Sequence, residues 1–549
     1  MVPPMSDEAP DAGRMVRESG RLSLLTLVSR VLGLVREMTR AAFMGTAGLA
    51  DSFTIGFMIP NFLRRLFAEG SVAVAFIPTF KGYLHDAGDD ERRDFLSAMF
   101  SALTLLVGLA TALGIAAAPL VVGLFDAEPV ETAVLTRLMF PYLALVSFAA
   151  FLQGILNSVG VFGPAAFAPI LFNICFITVP WLVSRFMPNP ARAMAVGVLA
   201  GGLAQALWQL PYVLRKGFRF GFVGPRRAFR NPGVRRVLAL IAPTIVGMAA
   251  YQLNDLVCTA VASRTGVGVA TALTFSLRLQ ELILGIFAVS VGTVLLPELA
   301  GLAAGRDWKG FSGSLGRALD AIALVTVPVA VFSMIAGRDI VSLLFEAREF
   351  DASSVDLTTG AFFWHMTGLF FIAANRLLAP AFYARGDSRN PTWAGVASFG
   401  ANIVLAVALA AFMGGGGIAL ALSLASAVNT FILVAMLLRT RLEGMEAALR
   451  GTFAYVAKLA VLSALAALPT LLLAGPLERA FGAASSRLVS AGLPLLAKTI
   501  VFGAVGIGTL VLTKDRVASF LFEAVSRRGR RAAAVGADAV GADAESGGA

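Results

Sequence analysis

Arginine stands in this sequence where hydrocarbon would be expected. In "SRVLGLVREMTRAAF", Ser29 to Phe43, Arg30, Arg36 and Arg40 interrupt a run otherwise apolar enough to enter a bilayer; "IPNFLRRLFAEG" adds Arg64 and Arg65, and "FSLRLQELILGIF" adds Arg278. An Arg at the bilayer centre costs on the order of 2.5–3.5 kcal/mol on insertion scales, so such residues normally face a water-filled interior. A guanidinium is a planar fork that chelates phosphate oxygens and stays charged at any relevant pH, so converging arginines suit a pyrophosphate. A carrier of organic cations would show the opposite sign. Acids balance part of the charge: Glu37 follows Arg30 by seven residues, Asp51 opens the second helix, Glu69 follows Arg65 by four and Glu281 follows Arg278 by three, each on or near one helix face. Arg30, Arg36, Arg64, Arg65 and Arg278 outnumber these acids, and a cationic cavity is the expectation. For Arg36, Arg40 and Arg65 the alternative is snorkelling to an interface.

Pro60 and Asn61 precede the arginine pair, and the proline predicts a kinked or broken second helix with backbone groups freed toward the cavity. Asn254, Asp255 and Asn402, in apolar runs, form a candidate site for a monovalent ion coupling transport to a gradient; interhelical hydrogen bonding is the plainer use of the asparagines. His85 lies in a polar loop, and His365 in "FFWHMTG" reads as hydrogen-bonded packing. No nucleophile-base pair, P-loop or metal-ligand cluster is visible, so neither catalysis, a metal nor a cofactor is expected.

The elements that position these residues are membrane helices. Of 549 residues 57% are hydrophobic and 14% charged, and mean hydropathy is +0.79, far from a soluble domain. Apolar runs bounded by Gly, Pro and charge predict an all-α polytopic protein of about 14 transmembrane helices, starting near residues 20, 50, 95, 131, 163, 192, 236, 267, 314, 353, 391, 417, 452 and 493. Cys175 and Cys258 sit in apolar runs and suggest no disulfide. The pI near 10.2 reflects basic loops, above all "RKGFRFGFVGPRRAFRNPGVRR", rather than nucleic-acid binding. Their alternation predicts both termini in the cytoplasm.

A weak repeat pairs "VAFIPTF" around Pro78 with "TVLLPEL" around Pro297, and "LNSVGVFGPAAFAPILFN" with "YARGDSRNPTWAGVASFGAN". It predicts two six-helix lobes plus two C-terminal helices: a disordered cytoplasmic tail 1–19, an N-terminal lobe 20–214, a basic loop 215–236, a C-terminal lobe 237–442, the helix pair 443–525 and a tail 526–549. Transporters of two such halves place substrate between them.

The stretches "SRVLGLVRE", "DSFTIGFMIPNFLRRLFAEGSVAVAFIPTF", "RLQELILGIFAVSVGTVLLPEL" and "LLAPAFYARGDSRNP" together resemble the MurJ (MviN) family of lipid II flippases, within the multidrug/oligosaccharidyl-lipid/polysaccharide exporter superfamily. The resemblance implies a central cationic cavity that opens alternately to either side. It implies substrate-binding roles for Arg30, Arg36, Arg64 and Arg278, with Glu281 beside the last, Asn61 in the "PN.LRR" block, and Asp51 at the start of the second helix. It also implies that the two C-terminal helices build a groove for a polyprenyl tail.

The expected function is therefore movement of a polyprenyl-pyrophosphate-linked peptidoglycan precursor, lipid II, between leaflets of the bacterial plasma membrane, by a monomer in contact with membrane lipids. The alternatives are a flippase or exporter of another lipid-linked glycan or amphiphile, or a membrane scaffold recruiting cell-wall enzymes through the basic loop.

Overall fold

The computed structural model describes residues 12–67, 75–123, 125, 129–515 and 517–519. Residues 1–11 of the expected N-terminal tail, Glu69, and the expected tail 526–549 lie outside the described residues.

Helices follow one another throughout. They are α1 (Ala12–Met44), α2 (Gly48–Phe67), the short α3 (Ile77–Asp86), α4 (Asp89–Val122), α5 (Pro129–Met139), α6 (Pro141–Ser158), α7 (Gly163–Val183) and α8 (Pro190–Arg215). The short α9 (Pro225–Arg230) then precedes α10 (Pro232–Thr265), α11 (Val269–Ala304), α12 (Trp308–Phe345), α13 (Ala352–Met366), α14 (Leu369–Tyr383) and α15 (Arg389–Met413). The chain continues through α16 (Gly415–Arg439), α17 (Met445–Phe481) and α18 (Leu493–Leu512). Among the described residues there is no strand, only an isolated bridge between Ala347 and Phe350.

Among the described residues nine helices are long and apolar enough to cross a membrane, or ten if α13 and α14, bent by 46° at their junction, count as one. The all-α membrane architecture expected from composition is present. Those nine do not include α1, α2, α10 and α11, the helices that carry Arg36, Arg64, Asp255 and Arg278.

Local chemistry sets the helix ends. Proline occupies the first turn of α3, α6, α7, α8, α9, α10 and α18, where its missing N–H would have no intrahelical partner anyway. The side chain of Asn189 caps α8 through Arg192 N–H at 3.0 Å, and that of Asn231 caps α10 through Gly233 N–H at 3.0 Å. Pro60 does not break α2, which runs on to Phe67; an isolated proline inside a membrane helix is accommodated by local adjustment of its neighbours.

The chain forms two compact units. The first reaches Arg278 and takes in Leu344–Ala361 and Phe399–Ala421; the second holds Leu279–Leu343, Phe362–Ser398 and the chain from Leu422 on. In the first unit one core gathers Phe76, Phe80, Phe95 and Phe151, with Tyr83 stacked on Phe95 at 4.4 Å. Another gathers Phe43, Phe53, Phe172 and Phe176. The basic loop is ordered against α4: Gly221 and Val223 donate their N–H groups to Ser97 Oγ and Ser101 Oγ, and Arg227 pairs with Asp94 at 2.5 Å.

The turn between α1 and α2 is gripped by backbone on two sides. Gly45 (φ +57°) lies directly on the carbonyl of Glu349, and Gly268 (φ +84°) directly on that of Thr46, so neither position has room for a Cβ. Thr46 also hydrogen-bonds Ser354 through its hydroxyl at 3.0 Å.

In the second unit, α12, α17 and α18 enclose an apolar groove of about 500 Å³, lined by Phe332, Leu459, Phe502 and Ile507 among others. At the α13–α14 break Gly368 packs against Ser423, whose hydroxyl donates to the freed carbonyl of Trp364 at 2.8 Å.

Candidate functional site

The first unit encloses a cavity of about 760 Å³. α1 supplies Ser29, Gly33 and Arg36; α2 supplies Phe57, Asn61, Arg64 and Arg65; α11 supplies Arg278. α6 presents the stripe Tyr142, Val146, Ala149, Gln153 and Asn157, which recurs every three or four residues as one helix face requires. α7 adds Phe172 and Asn173, and α8 adds Gln205 and Gln209. Arginines are the only charged residues lining it among the described residues. A chamber so lined attracts anions.

Arg36, Arg64 and Arg65 are each oriented by neighbours. Arg36 donates from Nε and Nη2 to Glu37 Oε1 at 3.3 and 2.8 Å, and from Nη1 to Asn173 Oδ1 at 3.2 Å. Its guanidinium also lies 5.5 Å from the Phe176 ring centroid, a favourable cation–π distance. Arg64 Nε donates to Asn61 Oδ1 at 2.8 Å, one turn earlier on α2. Arg65 Nη1 donates to Gln252 Oε1 at 3.1 Å and lies 3.7 Å from the Asp255 carboxylate. Arg278 is half-buried on the same cavity.

The expected site residues separate into groups. Arg36, Asn61, Arg64 and Arg278 share the cavity wall. Arg30 is exposed on α1 beside Ser29 and does not line the cavity. Asp51 is buried and caps α11: its carboxylate accepts from the N–H groups of Gly268 and Thr271 at 2.5 and 2.9 Å and from the Thr271 hydroxyl at 2.7 Å. Glu281 is exposed, three residues beyond Arg278 on α11 and in the second unit. Asn402 Nδ2 donates to Asn254 Oδ1 at 2.8 Å and to Cys258 Sγ at 3.2 Å, while Asp255 turns to Arg65.

Two residues behave differently from the pattern read in sequence. Arg40 does not snorkel; it is buried, 3.3 Å from Glu37 Oε2 and from Thr54 Oγ1, with the Phe275 ring centroid 4.5 Å away. Glu37 closes on Arg36 and Arg40 rather than standing alone against Arg30. Thr54 continues the polar line to Thr271 at 3.0 Å, so hydrogen bonds and the Glu37–Arg40 ion pair together link the cavity's Arg36 to the Asp51 cap. The sequence does not single out Asn173 or the amides of α6 and α8 as site residues. On α6 and α8 their trace is Gln or Asn four residues apart in otherwise apolar helices, and Asn173 stands alone in α7.

A model of the family described as lipid II flippase MurJ matches residues 40–491. A Treponema pallidum (strain Nichols) protein named "Probable lipid II flippase MurJ" is 42% identical over 503 residues, covering 90% of this chain and 95% of its own length. The "Lipid II flippase MurJ" of Burkholderia cenocepacia is 33% identical over 421 residues, covering 75% and 81% respectively. Among solved structures, a lipid II flippase MurJ in an inward closed conformation matches with a TM-score of 0.73 and 22% identity, covering 90% of this chain and 99% of that one. An inward-facing multidrug resistance MATE family transporter of the MOP superfamily matches at 0.62 and 14%, covering 79% and 98%. The structural likenesses speak for the fold, and the sequence matches for the lineage. By the extent of the family match and its identity to full-length relatives, this chain belongs to the MurJ family of lipid II flippases.

Proposed function

We propose that this chain moves lipid II, the polyprenyl-pyrophosphate-linked peptidoglycan precursor, from the inner to the outer leaflet of a bacterial plasma membrane by alternating access. The observation that carries this reading is the cavity on which Arg36, Arg64, Arg65 and Arg278 converge with no carboxylate on the wall among the described residues. Guanidinium forks capture the diphosphate by paired charge-assisted hydrogen bonds. The polyprenyl tail stays in an apolar phase, and the groove between α12, α17 and α18 supports that division of labour. No covalent chemistry is required of the protein.

In this reading the chain works as a monomer of two six-helix lobes plus a C-terminal helix pair, with both termini cytoplasmic. Arg30, Asp51 and Glu281 serve the site from its margin, and Asn254, Asp255 and Asn402 hold a monovalent coupling ion. Neutralising cavity arginines with cargo phosphate favours a closed form, from which the site re-exposes outward. A membrane potential biases such a charged chamber by about 2.3 kcal/mol per charge per 100 mV.

The test is Arg64→Ala and Arg278→Ala, each scored for outer-leaflet exposure of lipid II in cells together with the amount of protein in the membrane. Lost exposure at normal protein level supports the reading. Unchanged exposure in both variants removes it.

A further inference from the structure

Four side-chain amides stand on two neighbouring helices of the same cavity wall. Gln153 and Asn157 are one turn apart on α6, and Gln205 and Gln209 one turn apart on α8. Gln209 is 1% exposed and donates Nε2–H to the carbonyl of Gln205 at 3.2 Å, yet its Oε1 has no partner among the described residues. The Oε1 of Gln205 and the Oδ1 of Asn157 are likewise buried without one. A buried carbonyl oxygen lacking a donor carries the full desolvation penalty of that group, and folded proteins leave few of them. Three such oxygens lie on residues along one wall of the cavity, closed off from it in this form, and a turn of each side-chain amide brings its oxygen to meet a donor that enters the chamber.

The chemistry of the occupant follows from the chemistry of the wall. Amide oxygens accept hydrogen bonds and carry no net charge, so they complement hydroxyl and amide N–H groups rather than phosphate. The guanidinium groups belong to α1, α2 and α11, and the amides to α6 and α8. We infer that the Gln153, Asn157, Gln205 and Gln209 face is a subsite for the neutral, hydrogen-bond-donating part of the cargo head group, its sugar hydroxyls or peptide N–H groups, while the arginines hold the diphosphate. The inference rests on the proposed transport of a diphosphate-linked glycan and adds how the cargo is told apart from its bare carrier lipid.

The test uses the full-length protein in nanodiscs and three probes: polyprenyl diphosphate, the same lipid bearing the disaccharide alone, and complete lipid II. Wild type is expected to bind a sugar-bearing probe about tenfold or more tighter than the bare diphosphate. The Gln205→Met/Gln209→Met variant, which keeps side-chain length and removes the acceptors, is expected to lose that gap, to bind the bare diphosphate as before and to melt no lower than wild type. Gln153→Met, at an exposed part of the wall, is expected to narrow the gap in the same direction. A step lost between the first two probes assigns the subsite to the glycan, and one lost between the second and third assigns it to the peptide. Retention of the full gap by both variants overturns the inference and leaves the transport reading standing. If wild type binds none of the probes better than phosphatidylglycerol, the transport reading has failed and the inference falls with it.

Discussion

Asn173 holds Arg36 from the neighbouring helix: it accepts from Arg36 Nη1 at 3.2 Å while its own Nδ2–H is spent on the carbonyl of Ser29 at 3.1 Å. One amide on α7 thus fixes both a turn of α1 and the guanidinium it carries. Asn173→Ala removes a charge-assisted bond of the kind valued at about 1.5–3 kcal/mol. Affinity for polyprenyl diphosphate is expected to fall roughly tenfold, measured by native mass spectrometry in nanodiscs. Wild-type affinity in this variant would show that Arg36 needs no such support.

Arg36→Lys keeps the charge and discards the fork. A single ammonium on a flexible stem cannot reproduce the planar guanidinium that reaches Glu37 and Asn173 together. Lipid II exposure is expected to drop about tenfold or more at unchanged protein level. Full transport by the lysine variant would mean that charge alone suffices at this position.

Asp51 is worth more to the fold than its place at the head of α2 suggests, since it satisfies two N–H groups at the start of α11 and the Thr271 hydroxyl. Asp51→Ala leaves these buried donors unanswered, at about 1–3 kcal/mol for the cap. A lowered melting temperature in detergent is expected, with Asp51→Asn intermediate because one acceptor remains. Equal melting of Asp51→Ala and wild type would refute the capping role.

Asp515, beyond the end of α18, accepts from Lys458 Nζ at 2.6 Å, Tyr455 Oη at 2.9 Å and the Ala518 N–H at 3.0 Å. Burial pushes its carboxyl up, but the Lys458 hydrogen bond, the Ala518 amide, the Tyr455 hydroxyl and the Lys458 charge outweigh this and leave it below the usual carboxylate range. A depressed folded pKa contributes stability that is complete above the unfolded value, about 3.9, and is lost as pH falls through the folded one. The melting-temperature gap between wild type and Asp515→Asn is therefore expected to hold steady near neutrality and to close below about pH 4. A gap that stays constant into strong acid would contradict it.

Helices and cavity charge were legible because hydrocarbon imposes its rules on composition: an arginine in an apolar run is expensive enough to demand a reason. Arg36, Arg64 and Arg278 were found that way. Pairings were less legible. Helical spacing sets Glu37 against Arg30, yet neighbouring Arg36 bonds to it, because a long guanidinium stem reaches sideways where short side chains cannot. Asp51 looked like a counter-ion, since nothing in the sequence announces that the start of α11 lies over it. The amides of α6 and α8 were silent for a related reason. A glutamine in an apolar helix reads the same whether it ties two helices together or looks into a chamber, and only the convergence of two helices distinguishes these cases.

The backbone grip on the α1–α2 turn has a pharmacological consequence. Glycine pressed directly against carbonyl oxygen, at Gly45 on Glu349 and at Gly268 on Thr46, leaves no crevice for even a methyl group. A small-molecule inhibitor finds no foothold at this crossing; the chamber walled by arginine and glutamine has both the room and the polarity to admit one.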